Sequence, residues 1–248
     1  MHLNRLVRIL ETVAISGGSA TVSDICAATG YPKPTVYRLV QDLVSAELLH
    51  APKKGVFRIG PRLHRISRMD KSDAEVSVIA EPFLAKLSNE FGVASFLSRL
   101  RGDSVEITQV VVPQDERVSF LHPGLGLRPI HACSCAKVIG AYGTESFQED
   151  VIEGRLRKFT DYTRTDAQEL REEFQSIRDR GYGECIQELE VGICSVAAPI
   201  QLEDVGVGMS VAATGSIRVF TEEFRSRIGP ALINLANELA ERLDSPSA

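Results

Sequence analysis

The chain has 248 residues, 44% of them hydrophobic and 25% charged, which is long enough for two domains with separate cores. It holds no apolar run able to span a bilayer and opens on no signal-peptide-like segment, and its five cysteines follow no disulfide-framework spacing; a membrane protein and a secreted disulfide scaffold are excluded, and a soluble cytoplasmic protein with free thiols is expected. The net charge of −5 conceals an asymmetry: residues through Lys71 carry eleven basic against five acidic side chains, a net of +6, and the remainder carries −11.

From the N-terminus, Leu3 to Ile15 has helical periodicity, with Leu3, Leu6, Val7, Leu10 and Val13/Ala14 as the expected buried side, and stops at Gly17-Gly18. Thr21-Val22-Ser23-Asp24 is a capping-box-like start with Asp in place of Glu. Ile25 and Ala28 supply the apolar side of a short helix, Gly30 stops it, and Gly30-Tyr31-Pro32 becomes a turn. In the next segment Val36, Leu39, Val40 and Leu43 fall at i, i+3, i+4, i+7, one apolar face, and Pro34 suits the first turn. The opposite face carries Lys33, Thr35, Tyr37, Arg38 and Gln41, side chains able to donate to phosphates or read base edges in a major groove. Leu48 to Ala51 and Val56 to Ile59 read as two short strands joined by Pro52-Lys53-Lys54-Gly55, a hairpin with Lys53 and Lys54 at its tip. Three short helices followed by a basic hairpin match a winged helix-turn-helix, with double-stranded DNA as the expected partner. The basic charge of this head agrees, and the acidic remainder would keep DNA contact confined to it.

Arg62 to Asp73 carries Leu63, Ile66 and Met69 among Arg62, Arg65 and Arg68, a connecting helix or a solvated linker. Beyond it, Ala74 to Gly92 is an expected helix with Ile79, Phe83, Leu84, Leu87 and Phe91 buried. Val93 to Leu100 and Ser104 to Val112 are expected strands around Arg101-Gly102-Asp103, and Ala132 to Tyr142 an expected helix. Asp166 to Arg180 is an expected helix with Thr165 as N-cap and Gly181 beyond its end. Ile193 to Gln201 and Val205 to Thr214 are apolar strands, and Thr221 caps a last helix with Phe224, Ile228, Leu232, Leu235 and Leu239 on one face. Strands in adjacent pairs give an α+β body with an antiparallel sheet.

Six segments, RLVRILETVAISGG, DICAATGYPKPTVYRLVQDL, FRIGPRL, PIHACSCAKVIGAY, RDRGYGECIQELEVGICSVAAPI and VGVGMSVAATG, carry a resemblance over nearly the whole chain to the IclR family of bacterial transcriptional regulators. The resemblance implies a winged helix-turn-helix over residues 1–61, a linker helix over 62–73 and a GAF/PAS-like effector-binding and oligomerising domain over 74–248. It implies an operator as DNA partner, a small-molecule effector, and homodimers through the heads that often pair into homotetramers. Most members repress. Lys33, Thr35, Tyr37 and Arg38 match the groove-facing side of the family's recognition helix, although the family commonly has His where this chain has Tyr37. The family's effector pocket maps onto His131, Cys133, Ser134 and Cys135, and onto Cys185, Cys194, Ser195, Ala212 and Thr214. Some acid-binding members carry Asp at the position of Cys185 and Ser at that of Ala212, so a less polar pocket is expected here. A small organic acid, aromatic or otherwise partly apolar, is the expected effector, held by backbone N–H groups near Cys133.

His131-x-Cys133-x-Cys135 has metal-like spacing but lacks a second ligand pair, so small residues packing at a helix start are expected in place of a metal site. No cofactor is expected. Cys185 and Cys194 are expected near Cys133 or Cys135, which leaves a thiol-based redox regulator, or a GAF-like thiol enzyme, as the alternative. None of the five histidines stands in a recognisable catalytic motif and no phosphate-cradling glycine pattern occurs, so an enzyme is not expected. Glu184, Glu188 and Glu190 read as a solvated acidic turn at the pocket rim.

Overall fold

The computed structural model describes residues 2–63, 66, 71–115, 120–203 and 205–244. Its chain divides into two compact units, residues 1–71 and 72–248.

The first unit contains α1 (His2–Ile15), β1 (Ala20–Thr21), α2 (Val22–Thr29), α3 (Lys33–Ser45), β2 (Leu49–Lys53) and β3 (Val56–Ile59). The capping box forms as the sequence suggests: Thr21 Oγ1 accepts from the Asp24 N–H, and Asp24 Oδ2 accepts from the Thr21 N–H at 2.8 Å. Gly30 ends α2 in the left-handed conformation, and Pro34 lies in the first turn of α3. Ile9, Val13, Ile25, Val36, Leu39, Val40, Leu43 and Phe57 form the core. One expectation for α1 fails: its buried positions are Ile9, Thr12 and Val13, while Leu3 and Val7 are 69% and 43% exposed. The helix is rotated so that Ile9, an isoleucine outside the expected face, points inward.

The hairpin is tighter than its sequence suggested. Lys53 pairs with Val56, so the turn is Lys54-Gly55 alone, with Gly55 at φ +81°. β1, which the sequence reading missed, adds a third strand against β3. Just past the hairpin the Gly60 N–H donates to the Leu48 carbonyl at 2.9 Å. A Cβ on Gly60 would stand 2.1 Å from the Glu47 carbonyl oxygen, and Glu47 is itself held at φ +58°. Gly60→Ala is therefore expected to destabilise this unit by at least about 1–3 kcal/mol, as overpacking does. Hydrogen exchange resolved to residues 1–71 will show the loss, and unchanged protection would mean that the backbone yields without cost.

The expected connecting helix over 62–73 falls partly on residues 64, 65 and 67–70, which lie outside the described ones. Residues 61–63 and 66 are helical, whereas Lys71 and Ser72 are not. Ser72 caps the next helix with its own capping box to Glu75, so that helix starts at Asp73.

The second unit runs α4 (Asp73–Phe91), β4 (Ala94–Arg101), β5 (Ser104–Val111), β6 (Gly126–Arg128), α5 (Ser134–Ala141), α6 (Glu145–Glu153), α7 (Ala167–Arg180), β7 (Gly183–Ile186), β8 (Ile193–Leu202), β9 (Gly206–Ser216) and α8 (Glu222–Asp244). The sheet is six-stranded and antiparallel throughout, in the order β6-β5-β4-β9-β8-β7. Strand alternation divides its side chains between two cores. Leu97, Val196, Ala198 and Val211 meet α4 and α8 on one face. Phe96, Ala197 and Ala212 meet α5 and α7 on the other. The N-cap of α7 is Asp166, not Thr165: its carboxylate accepts from the N–H groups of Gln168 and Glu169 at 2.8 and 3.0 Å, which a threonine one residue earlier does not do. Likewise α5 starts at Ser134, after Cys133, and not at Ala132. The short β6, α6 and β7 went unread because each is too short or too polar to show a period. Among the described residues no helix is long and apolar enough to cross a membrane.

Candidate nucleic-acid interface and ligand cavity

Burial of Val36, Leu39, Val40 and Leu43 turns the other side of α3 outward. Lys33, Tyr37, Arg38 and Gln41 are exposed and Thr35 is half-buried. Lys53 and Lys54 are exposed where the hairpin turns. A convex helix face with a cation, a guanidinium, a phenol and an amide, beside a lysine-tipped wing, has the donors that a DNA groove and its phosphates accept.

The second unit holds a cavity of about 100 Å³ between the sheet and the start of α5. Antiparallel register builds its floor: Cys185 pairs with Ser195, and Ser195 with Thr214, so three side chains from β7, β8 and β9 lie in one row. All three line the cavity, as does Cys133. Phe96, Ile107, Leu121, Pro123, Leu189 and Ile193 make the rest of the wall largely apolar, with His122, Arg128 and Glu190 as its charged or titratable members. The Arg128 guanidinium is committed to a backbone task, donating to the carbonyls of Pro123 at 2.6 Å and Gly124 at 2.9 Å and so folding segment 123–128 against the opening. Ser195 Oγ lies 2.7 Å from Ser134 Oγ, and Thr214 Oγ1 donates to the Cys194 carbonyl at 3.0 Å, so each keeps capacity to meet a ligand.

Of the nine pocket residues expected from sequence, Cys133, Cys185, Ser195 and Thr214 line the cavity. Ser134 reaches it only through its bond to Ser195. His131 turns away: Nε2 is 2.9 Å from the Arg157 carbonyl, and the ring stacks on Phe159. Cys135 and Ala212 are packed in the core behind the wall. Cys194 lies on the opposite face of the sheet, in the core under α4 and α8, because it is one residue out of phase with Ser195. Phe96, Ile107 and the segment around His122 were missed. Phe96 could have been found from its alternation with Leu97, but segment 121–123 has no periodic signal.

The thiols are free, and those of the second unit are buried. The sulfurs of Cys133 and Cys135 are 3.4 Å apart. Their mutual hydrogen bond pushes the Cys133 thiol up and holds that of Cys135 below its ordinary value. Cys185 donates to the Ala132 carbonyl at 3.1 Å, and burial pushes its thiol up to about 12. Burial likewise pushes Cys194 up to about 12. Among the described residues no group of three or more His, Cys, Asp or Glu is placed to hold a metal ion.

Behind α5 lies an ionic cluster. Lys137 is fully buried, with Nζ 2.8 Å from Glu188 Oε1 and 3.3 Å from Glu173 Oε1. Arg164 reaches Glu188 at 2.9 Å, and Arg180 reaches Glu173 at 3.3 Å. Burial works to raise the Glu173 carboxyl, but the charges of Lys137, Arg164 and Arg180 outweigh it and hold the group below its ordinary value. The acidic turn expected over 184–190 is solvated only at Glu190, which is exposed at the cavity rim. Glu188 is 2% exposed and paired, Glu184 accepts from Arg225 at 3.1 Å, and Glu190 faces the cavity. Thr160 and Thr163 tie the same segment down by donating to the carbonyls of Gln187 and Glu188 at 2.7 and 2.6 Å.

Comparison with known proteins matches this architecture. Residues 71–241 match the family model for the bacterial transcriptional regulator IclR C-terminal domain, and residues 3–51 that for the IclR helix-turn-helix domain. The chain is similar to the HTH-type transcriptional regulator Rv1719 of Mycobacterium tuberculosis, at 27% identity over 90% of this chain and 83% of that one. It is similar to the HTH-type transcriptional repressor AllR of Salmonella paratyphi A, at 26% identity over 97% and 89% of the two chains. A crystal structure of an IclR homologue complexed with 4-hydroxybenzoate, from Microbacterium hydrocarbonoxydans, superposes with a TM-score of 0.61 at 23% identity, covering 98% of this chain and 100% of that one. With both units matched in order, the chain belongs to the IclR family and is a DNA-binding transcriptional regulator.

Proposed function

We propose that this regulator is a repressor whose affinity for its operator is set by a small, partly apolar organic acid bound in the cavity between the sheet and α5. The observation that carries the reading is the cavity's mixed wall: an aromatic and aliphatic side from Phe96, Ile107, Leu189 and Ile193, and a polar row from Cys185, Ser195 and Thr214. That division suits a flat apolar body with one polar end. The 4-hydroxybenzoate held by a similar regulator supports an aromatic acid, and the repressor name of another relative supports repression. On this reading Lys33, Thr35, Tyr37, Arg38 and Gln41 enter the major groove, while Lys53 and Lys54 meet the backbone or minor groove. Leu3 and Val7, one turn apart on α1 and uncovered in the single chain, support pairing of the heads. Two heads would read half-sites about 34 Å apart or a multiple of it. The acid moves the equilibrium only by binding one arrangement of the heads more tightly than the other.

The test is fluorescence anisotropy of the full chain on DNA from its own upstream region, titrated with a panel of small carboxylic acids. One acid is expected to shift operator binding, and Thr214→Val is expected to blunt that shift while leaving acid-free binding intact. Operator binding that no acid in the panel alters would overturn the effector reading.

A further inference from the structure

One sulfur at the cavity wall and one just behind it form a pair that the proposed DNA and effector contacts leave unused. Cys133 and Cys135 flank Ser134 at the start of α5, and their sulfurs are 3.4 Å apart. Cys133 faces the cavity and Cys135 lies directly behind it in the core. The Cys133 side chain makes no capping hydrogen bond and its backbone is extended; its sulfur's contact is with Cys135 itself, the one that closure would replace. Its carbonyl, in contrast, holds the first turn of α5, accepting from the N–H groups of Ala136 at 3.1 Å and Lys137 at 2.8 Å. The other cysteines of this unit are engaged elsewhere: Cys185 with the Ala132 carbonyl, and Cys194 on the far face of the sheet.

We propose that Cys133 and Cys135 are an oxidisable dithiol, and that hydrogen peroxide, small enough to enter the cavity, converts them to an intramolecular disulfide that alters the first turn of α5. A thiolate of the pair attacks the peroxide; an S–O bond forms, the O–O bond breaks, and the leaving oxygen departs as water. The second sulfur then attacks the sulfenic sulfur; an S–S bond forms, the S–O bond breaks, and a second water carries off the remaining thiol proton. Two thiols are oxidised, one peroxide is reduced, and two waters are released. A disulfide is about 2.05 Å long, so closure draws the sulfurs together by roughly 1.3 Å. Cys135 is fixed in the helix, so the movement falls on Cys133, which withdraws from the cavity wall and pulls the carbonyl that anchors Ala136 and Lys137. Oxidation would thus change the shape of the ligand cavity. The proposal does not rest on the effector reading, because its test needs neither DNA nor ligand.

The full chain is treated with a small excess of hydrogen peroxide, its remaining thiols are alkylated, and its peptides are weighed. The expected result is a peptide that carries both Cys133 and Cys135 and has lost two hydrogens, with Cys185 and Cys194 still alkylated. Dithiothreitol restores both thiols. Hydrogen exchange at Ala136 and Lys137 is expected to lose protection on oxidation and regain it on reduction. Cys133→Ser and Cys135→Ser each preserve the packing and each abolish the linked peptide. The half-buried Cys26 serves as an internal clock. If Cys26 is oxidised while both pair members remain alkylated, if Cys133 links to Cys185 instead, or if exchange at Ala136 and Lys137 does not respond, the proposal fails.

Discussion

Lys137→Met is expected to cost about 3–5 kcal/mol of stability, the range seen when one partner of a buried ion pair is removed. The methionine fills much of the same space, so the loss is electrostatic. Lys137 is fully buried and supplies the shortest contact to Glu188, whose side chain is 3% exposed. Arg164 alone then faces Glu188, and its own side chain is 37% exposed, so water screens what it can return. The second oxygen of Glu188 already lacks a hydrogen-bond partner among the described residues. A double variant Lys137→Met/Glu188→Leu should recover part of the loss, because an apolar pair of similar volume replaces the ion pair at little net cost.

The pH dependence has a definite sign. The folded carboxyl of Glu173 titrates below its ordinary value of 4.5, so its contribution is fully present above that value and is lost as pH falls through the folded one. Without Lys137, burial is opposed by less positive charge and the carboxyl moves upward. The stability gap between variant and parent should therefore narrow on acidification below about 4.5, where the parent loses its advantage. Chemical denaturation of the second unit at pH 7 and pH 4 measures both effects. A loss under about 1 kcal/mol at pH 7 would show that the two arginines suffice.

The helices and hairpin of the first unit were legible because their signals are local. Thr21, Asp24, Gly30 and Pro34 mark ends, and Val36 to Leu43 mark a face. The ionic cluster was illegible for the opposite reason. Lys137, Arg164, Glu173 and Glu188 come from four separate segments, and nothing in the run Glu184, Glu188, Glu190 distinguishes a buried carboxylate from a solvated one. The cavity falls between these cases. Family resemblance led to Cys133, Cys185, Ser195 and Thr214, but Cys194 was misplaced because a strand sends neighbouring residues to opposite faces. Phe96 and Ile107, neighbours through the β4–β5 hairpin, reach Ser195 and Thr214 only once β4 is paired with β9, far away in sequence.

Two sets of substitutions in the first unit should weaken DNA binding in different ways. Arg38→Ala and Tyr37→Ala remove side chains from the exposed face of α3, where the donors on offer are a guanidinium fork and a phenol. If they read base edges, each should cost about 1–3 kcal/mol on the operator and much less on random DNA, because the specific contact is lost and the phosphate contacts remain. Lys53→Ala/Lys54→Ala removes two charges from the exposed wing turn, where an ammonium group meets phosphate as a point charge and carries no base-reading fork. That double variant should lose affinity for operator and random DNA alike. It should also flatten the plot of log affinity against log salt by about 0.9 for each phosphate contact removed. Anisotropy titrations of all three variants on both DNAs, repeated across a range of salt, separate the two modes. Arg38→Ala weakening both DNAs equally would assign that arginine to phosphate, and an unchanged salt slope in the lysine variant would place the wing off the duplex. None of these substitutions touches the core formed by Ile9, Val36, Leu39 and Phe57, so melting of the first unit should be unaltered and the losses can be read as binding alone.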